Sequence, residues 1–333
     1  MGGRRVENDS RTSAALSRRA VVGGAAALAA LTTTGAVAGT ARAASGTARA
    51  VSGSGTDRPW EPVPVPAQRP VTEYQVPVAG GGSLWCWDTG GAGEPVVLLH
   101  PRSGSGESWP YQQPVLAGAG YRVIGYSRRG AYRSVAGTKA EADTQSGDLD
   151  TLADHLGLDR FHLSGSAAGG VLAADYALSH EDRLLSLTVS GSIMGVQDAA
   201  YLELAAALQP DPFGDLPAAF KELGPSYRAG DLDGVAAWQA IQTRALTADG
   251  FAQPLANTIT WAALGTLTLP VQLITGDGDL YSPPSIMRLN ARHLRRAQTH
   301  VVDEAGHNPH WEQPAAWNRL LVAFLRRNGG RGR

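Results

Sequence analysis

From about Val71 onward the chain alternates short apolar runs with segments whose apolar residues recur every three or four positions. "PVVLLH" (95–100) and "YRVIGYS" (121–127) are continuous apolar runs, as expected of strands buried on both faces. "TEYQVPV" and "SLWCWDT" alternate apolar with polar residues and are separated by a glycine-rich turn, the pattern of an antiparallel pair. "TQSGDLDTLADHLGL" has helical spacing, and "RFHLSGS", "LLSLTVSGS", "LPVQLITGD" and "QTHVVDE" read as further strands. "PPSIMRLNARHL" and "PAAWNRLLVAFLRR" read as helices between and after them. Strand–helix alternation of this kind specifies an α/β fold, a mostly parallel eight-stranded sheet with helices on both faces. One stretch, 193–267, breaks the alternation: it is helical throughout and reads as a cap set over the sheet edge where loops gather.

The remaining composition narrows the function classes. Across 333 residues, 29 basic and 30 acidic side chains leave a net charge of −1, too balanced to create a field for nucleic acid or an anionic membrane. Cys86 is the single cysteine, so no disulfide forms within the chain and no cysteine-rich zinc site is possible. No phosphate loop, dinucleotide fingerprint or His/Glu metal spacing occurs, so neither cofactor nor metal is expected and the expected partner is a small-molecule substrate. Residues 1–43 carry paired arginines, Arg18 and Arg19, then a weakly apolar run and the small-residue pattern Ala41-Arg42-Ala43. This resembles a twin-arginine export signal, with a run too dilute for stable membrane insertion, and predicts an exported protein. Residues 44–70 have a Gly/Ser/Ala/Pro composition and read as a disordered linker. The expected division is therefore 1–43, 44–70, a core of 71–192 and 268–333, and the cap 193–267.

Four stretches in order carry a resemblance. "VVLLHPRSGSGESW", "GYRVIGYSRRGAYRS", "FHLSGSAAGG" and the pair "LITGDGDLYSPP" with "DEAGHNPHWEQP" together resemble the α/β-hydrolase fold with a helical cap. The resemblance implies an oxyanion loop, a nucleophile elbow, an acid loop and a histidine loop. In this chain the elbow pattern G-x-S-x-G is Gly165, Ser166, Ala167, Ala168, Gly169: the flanking glycines are present and the nucleophile position holds alanine. The implied acid is Asp279 and the implied base His307, with the backbone amides of Ala168 and Arg102 as oxyanion donors. Asp277 reads as a turn residue, His310 as packing and His100 as a structural hydrogen-bonder.

Two departures stand out. Ala167 supplies no hydroxyl, and Ser166, one residue early, points its side chain back beneath the turn. Pro101 replaces the usual glycine, but proline lacks only its own amide, so the donor from Arg102 survives. The Arg102 side chain reads as a solvated loop arginine, with a place at the pocket mouth as the alternative, and Ser103, Trp109 and Trp238 are expected to line the pocket, with Tyr111 near the first tryptophan. Three functions fit. The first is an enzyme that works through His307, Asp279 and the oxyanion hole without a serine, by C–C, ester or lactone hydrolysis, a lyase reaction or proton transfer on a medium-sized, partly apolar carbonyl compound. The second is a serine esterase or lipase-type hydrolase with a Ser-to-Ala change at 167, and the third an inactive ligand-binding module.

Overall fold

The computed structural model describes residues 62–209 and 211–330. The expected export signal and most of the expected linker lie outside them. Within the linker's described end, disorder is corrected for residues 63–69. Tyr111 Oη donates to Val63 O (3.0 Å), and Arg69 and Gln113 exchange two hydrogen bonds, so this segment is tied to the surface of the core.

Eight strands form one sheet: β1 (Thr72–Val78), β2 (Gly82–Asp88), β3 (Pro95–Leu99), β4 (Arg122–Tyr126), β5 (Phe161–Ser166), β6 (Leu184–Ser190), β7 (Val271–Gly276) and β8 (Ala297–Val302). Their order is β1-β2-β4-β3-β5-β6-β7-β8. β2 pairs antiparallel with β1 and with β4, and every other neighbour pair is parallel. The central strands are almost wholly buried because helices cover both faces. Val97, Leu99, Leu163 and Val189 face one core, while Val96, Leu98 and Ile274 face a second against Trp317 and Leu321.

The helices of the core are α1 (Gln113–Gly118), α2 (Gln145–His155), α3 (Ala168–Ser179), α9 (Pro284–Ala291), α10 (Pro309–Glu312) and α11 (Pro314–Asn328). Between β6 and β7 come α4 (Ala199–Ala207), α5 (Ala218–Glu222), α6 (Pro225–Gly230), α7 (Leu232–Ala245) and α8 (Trp261–Leu264). The 193–267 segment thus contains helices and no strand among its described residues, matching its sequence pattern. Asp148 on α2 grips Arg129 after β4 through two bonds of 2.6 and 2.8 Å, a buried bidentate pair that fixes the turn following β4. Parallel strands place their C-terminal ends on one edge, so the loops after β3, β5, β6 and β7 converge there, which is where this fold class gathers its ligand sites.

Candidate active site

The turn after β5 passes from strand to α3 through Ala167 alone. Ala167 sits at φ 51° and ψ −113°, a strained conformation for a residue with a Cβ. Glycines make this possible. A Cβ on Gly165 would strike the carbonyl of Gly169, one on Gly169 would strike the carbonyl of Leu99, and one on Gly170 would come within 2.7 Å of Ser192 Cβ. The turn is pinned from behind by Ala167 N donating to Ser190 O at 2.8 Å. Ala168 is the first residue of α3, so its amide has no intrahelical acceptor and carries the positive end of the helix. Across from it, the turn after β3 is closed by Gly104 N donating to Pro101 O (3.1 Å), a bond that leaves the amide of Arg102 out of the turn closure.

The loops after β7 and β8 bring Asp279 and His307 into contact. His307 Nδ1 lies 2.9 Å from Asp279 Oδ1, and both residues are under a tenth exposed. The same carboxylate oxygen accepts the amides of Tyr281 (2.8 Å) and Ser282 (2.9 Å). An acceptor held by two amides keeps its charge, so it takes a proton-bearing Nδ1 and leaves Nε2 with the lone pair. Burial opposes the charge on Asp279, yet His307, Ser282 and Tyr281 outweigh it and hold its carboxyl below the ordinary range. Burial likewise opposes charging His307. Asp279, then Glu222 and Glu312, overcome it and raise the imidazole above its usual value.

A cavity of about 430 Å³ opens between these loops and the cap. Ala167, Ala168, Arg102, Ser103 and His307 line it from the core side, and Ala205, Ala206, Gln209 and Glu222 from the cap. The cavity thus brings together Ala167, Ala168, Arg102, Ser103 and His307, with Asp279 bonded to His307 behind them. Trp109 and Trp238 do not line it. Trp109 is 1% exposed and stacks on His310 with ring centroids 4.6 Å apart, beside Trp317. Trp238 packs with Tyr111, Leu223, Tyr227 and Trp311, joining cap to core. The correction has one cause: large aromatic side chains stabilise more by full burial between helices than by lining a cavity, and both sites offer that.

The remaining histidines and serines fall into supporting places. His100 Nδ1 lies 2.7 Å from Pro101 O, while its Nε2 accepts the amide of Arg128 at 3.1 Å. His310 is buried and burial pulls it down to about 3, so it stays neutral. Ser166 Oγ is buried 3.5 Å from His310 Nδ1 and does not line the cavity. Asp277 accepts the amide of Ala305 at 3.2 Å.

Three contributors escaped the sequence reading. Glu222, at the end of α5, accepts a 2.6 Å hydrogen bond from Ser103 Oγ, and its backbone oxygen accepts the His307 amide (3.1 Å). Burial raises its carboxyl pKa, against Ser103 and His307. Tyr281 lays its ring over His307 at 4.5 Å. Gly191, after β6, has φ 54°, and a Cβ there would come within 2.6 Å of His307 O and 3.2 Å of Asp279 Oδ2. Only Gly191 left a trace in the sequence, as a glycine closing a strand. Among the described residues, no group of three or more His, Cys, Asp or Glu side chains is placed to hold a metal ion.

A strained strand-to-helix turn, a His–Asp pair from the last two strand loops and a mostly parallel eight-stranded sheet together define an α/β-hydrolase architecture. Residues 94–314 match the family model described as the alpha/beta hydrolase fold, and the chain belongs to that family. It is 26% identical over 275 residues to a 2-hydroxy-6-oxononadienedioate/2-hydroxy-6-oxononatrienedioate hydrolase of Cupriavidus pinatubonensis, covering 73% of this chain and 90% of the relative. Solved structures share the architecture. A thermophilic esterase from Thermogutta terrifontis superposes with a TM-score of 0.62 at 23% identity, over 78% of this chain and all of the esterase. A bromoperoxidase from Bacillus anthracis gives 0.61 at 23%, over 77% of this chain and all of its own.

Proposed function

We propose that the chain is a hydrolase that activates water directly on a His–Asp dyad, with no acyl-serine intermediate, and acts on a medium-sized, partly apolar carbonyl compound. The observation that carries this reading is the 2.9 Å His307–Asp279 bond beside a cavity wall that is alanine where a serine hydroxyl would otherwise stand. His307 Nε2 takes a proton from water as the hydroxide oxygen bonds to the substrate carbonyl carbon. The negative charge that develops on the carbonyl oxygen is met by the amides of Ala168 and Arg102. Collapse breaks the bond to the leaving carbon or oxygen, and that atom recovers the proton from His307. One water is consumed, and a carboxylic acid and a protonated leaving group are released. The 2-hydroxy-6-oxononadienedioate hydrolase among the relatives makes a C–C bond beside a carbonyl the first chemistry to test.

A second reading is favoured by the backbone of Ala167, whose strained φ and ψ are those of a turn built to present a side chain. In that reading the ancestral reaction used a serine at 167. One experiment separates the two. The purified chain, His307→Ala and Ala167→Ser are each assayed with a vinylogous 1,5-diketone, a lactone and a p-nitrophenyl ester, and each is treated with a fluorophosphonate probe. Diketone or lactone turnover in the unaltered chain that falls about 10³-fold or more in His307→Ala supports direct water activation. Ester turnover and probe labelling found only in Ala167→Ser support the second reading. Probe labelling of the unaltered chain defeats both.

A further inference from the structure

A second cavity, of about 340 Å³, lies on the other side of the oxyanion donors. It shares Arg102 and Ala168 with the first and adds Arg128, His100 and the loop around Thr247 to Gln253. Its charge is one-sided. The third arginine there, Arg129, is consumed by its bidentate pair with Asp148, and the remaining bond of that carboxylate goes to Gln253 Nε2 (2.7 Å). Arg128 and Arg102 have no acidic partner among the described residues.

Arg128 is held in place without being neutralised. Its guanidinium donates to the carbonyls of His100 and Pro101, both at 3.1 Å, and approaches the His100 ring at 3.3 Å. Burial holds the His100 pKa well below its usual value, so the ring brings no charge. Burial, and then the charge of Arg102, also pull Arg128 down, to about 10, which still leaves it cationic at neutral pH. A half-buried cation fixed by neutral groups carries a desolvation cost that only an anion offsets. The N-terminus of the twelve-residue helix α3, at Ala168, adds positive potential on the same wall.

We propose that this second cavity is a carboxylate subsite, in which Arg128 and Arg102 hold an anionic group of the substrate while its reacting carbonyl faces the amides of Ala168 and Arg102. The placement of the carbonyl rests on the reading of the first cavity given above. The subsite itself rests on the two arginines. The substrate class is therefore a keto acid, an ester acid or a related carbonyl compound with a carboxylate a few bonds from the reacting carbon.

Binding separates this proposal from the proposed reaction. The full chain is titrated by calorimetry with 4-phenylbutyrate and with its neutral isostere 4-phenylbutyramide. The acid is expected to bind about tenfold tighter, as a charge-assisted contact implies. Arg128→Gln should erase that preference, Arg128→Lys should keep part of it, and Arg102→Gln should reduce it. His307→Ala should leave it intact whatever happens to turnover. If Arg128→Gln lowers the melting temperature, Arg102→Gln on its exposed loop decides instead. Equal binding of acid and amide, survival of the preference in both glutamine variants, or its loss in His307→Ala would overturn the proposal.

Discussion

The two halves of the site differ in what they preserve. The half built on β5 and α3 keeps its shape: Ala167 holds a strained backbone, and three glycines allow the crowding around it, but no reactive side chain remains. The half built on the loops after β7 and β8 keeps its chemistry: an imidazole, its carboxylate and the two amides that fix that carboxylate are all in contact. Backbone strain costs free energy, on the order of 1–3 kcal/mol, and persists only where the surroundings enforce it. The strained turn at Ala167 is therefore supported here by the packing of β5, β6 and α3, and Ala167 and Ala168 line the cavity beside it. Under the proposed reaction, oxyanion stabilisation would draw on the Ala168 amide of this turn, whereas nucleophilic attack would need a side chain at 167.

The largest effect is expected of Asp279→Asn. If the His–Asp half carries the chemistry, turnover falls about 10³- to 10⁴-fold, since the imidazole loses its fixed tautomer and its charge partner. Unchanged kcat/KM, measured beside a circular dichroism spectrum that shows the variant folded, would place the chemistry elsewhere. The second is Gly191→Ala. A methyl there meets the carbonyl of His307 and needs φ 54°, so the variant should lose about 1–3 kcal/mol of stability in urea unfolding and much of its activity. Full stability would mean that the His–Asp half is less tightly packed than its geometry implies.

The smallest effect is the most diagnostic. His307 is raised above its usual value and must be neutral to accept a proton, so kcat/KM should climb with pH through a midpoint above 6.5. Glu222→Gln removes a negative charge that favours the protonated imidazole, and so should shift that midpoint to lower pH with little loss of the plateau. A midpoint that does not move would show that Glu222 acts on Ser103 alone. The same raised pKa has a stability consequence. The protonated imidazole's contribution is fully present below the unfolded histidine value and is lost as pH rises through the folded one.

Much of the architecture was legible in advance, because buried parallel strands and amphipathic helices leave periodic traces. The order of the motifs placed Asp279 and His307 on the loops after β7 and β8, where the structure brings the two side chains into contact. Glu222 was not legible: its partner Ser103 is 119 residues away, and nothing local in "FKELG" marks a carboxylate that faces a cavity. Arg128 was equally hidden, since an arginine beside Arg129 reads as either member of one ion pair until the structure shows that Asp148 takes only the second. Trp109 and Trp238 failed for the opposite reason. An aromatic in a loop, like Trp109, or on a helix, like Trp238, packs into the core or lines a cavity with the same local sequence, and only the three-dimensional neighbours decide.

Glu312 gives the cap a role beyond enclosing the substrate. One of its carboxylate oxygens accepts the amides of Gly224, in the cap, and Gly306, in the histidine loop, while the other accepts Asn308. With the His307 amide bonded to Glu222 O, the cap and the base are riveted at two points. A cap displaced at α5 would break these bonds, so under the proposed reaction the seating of the imidazole is tied to the seating of the roof above it.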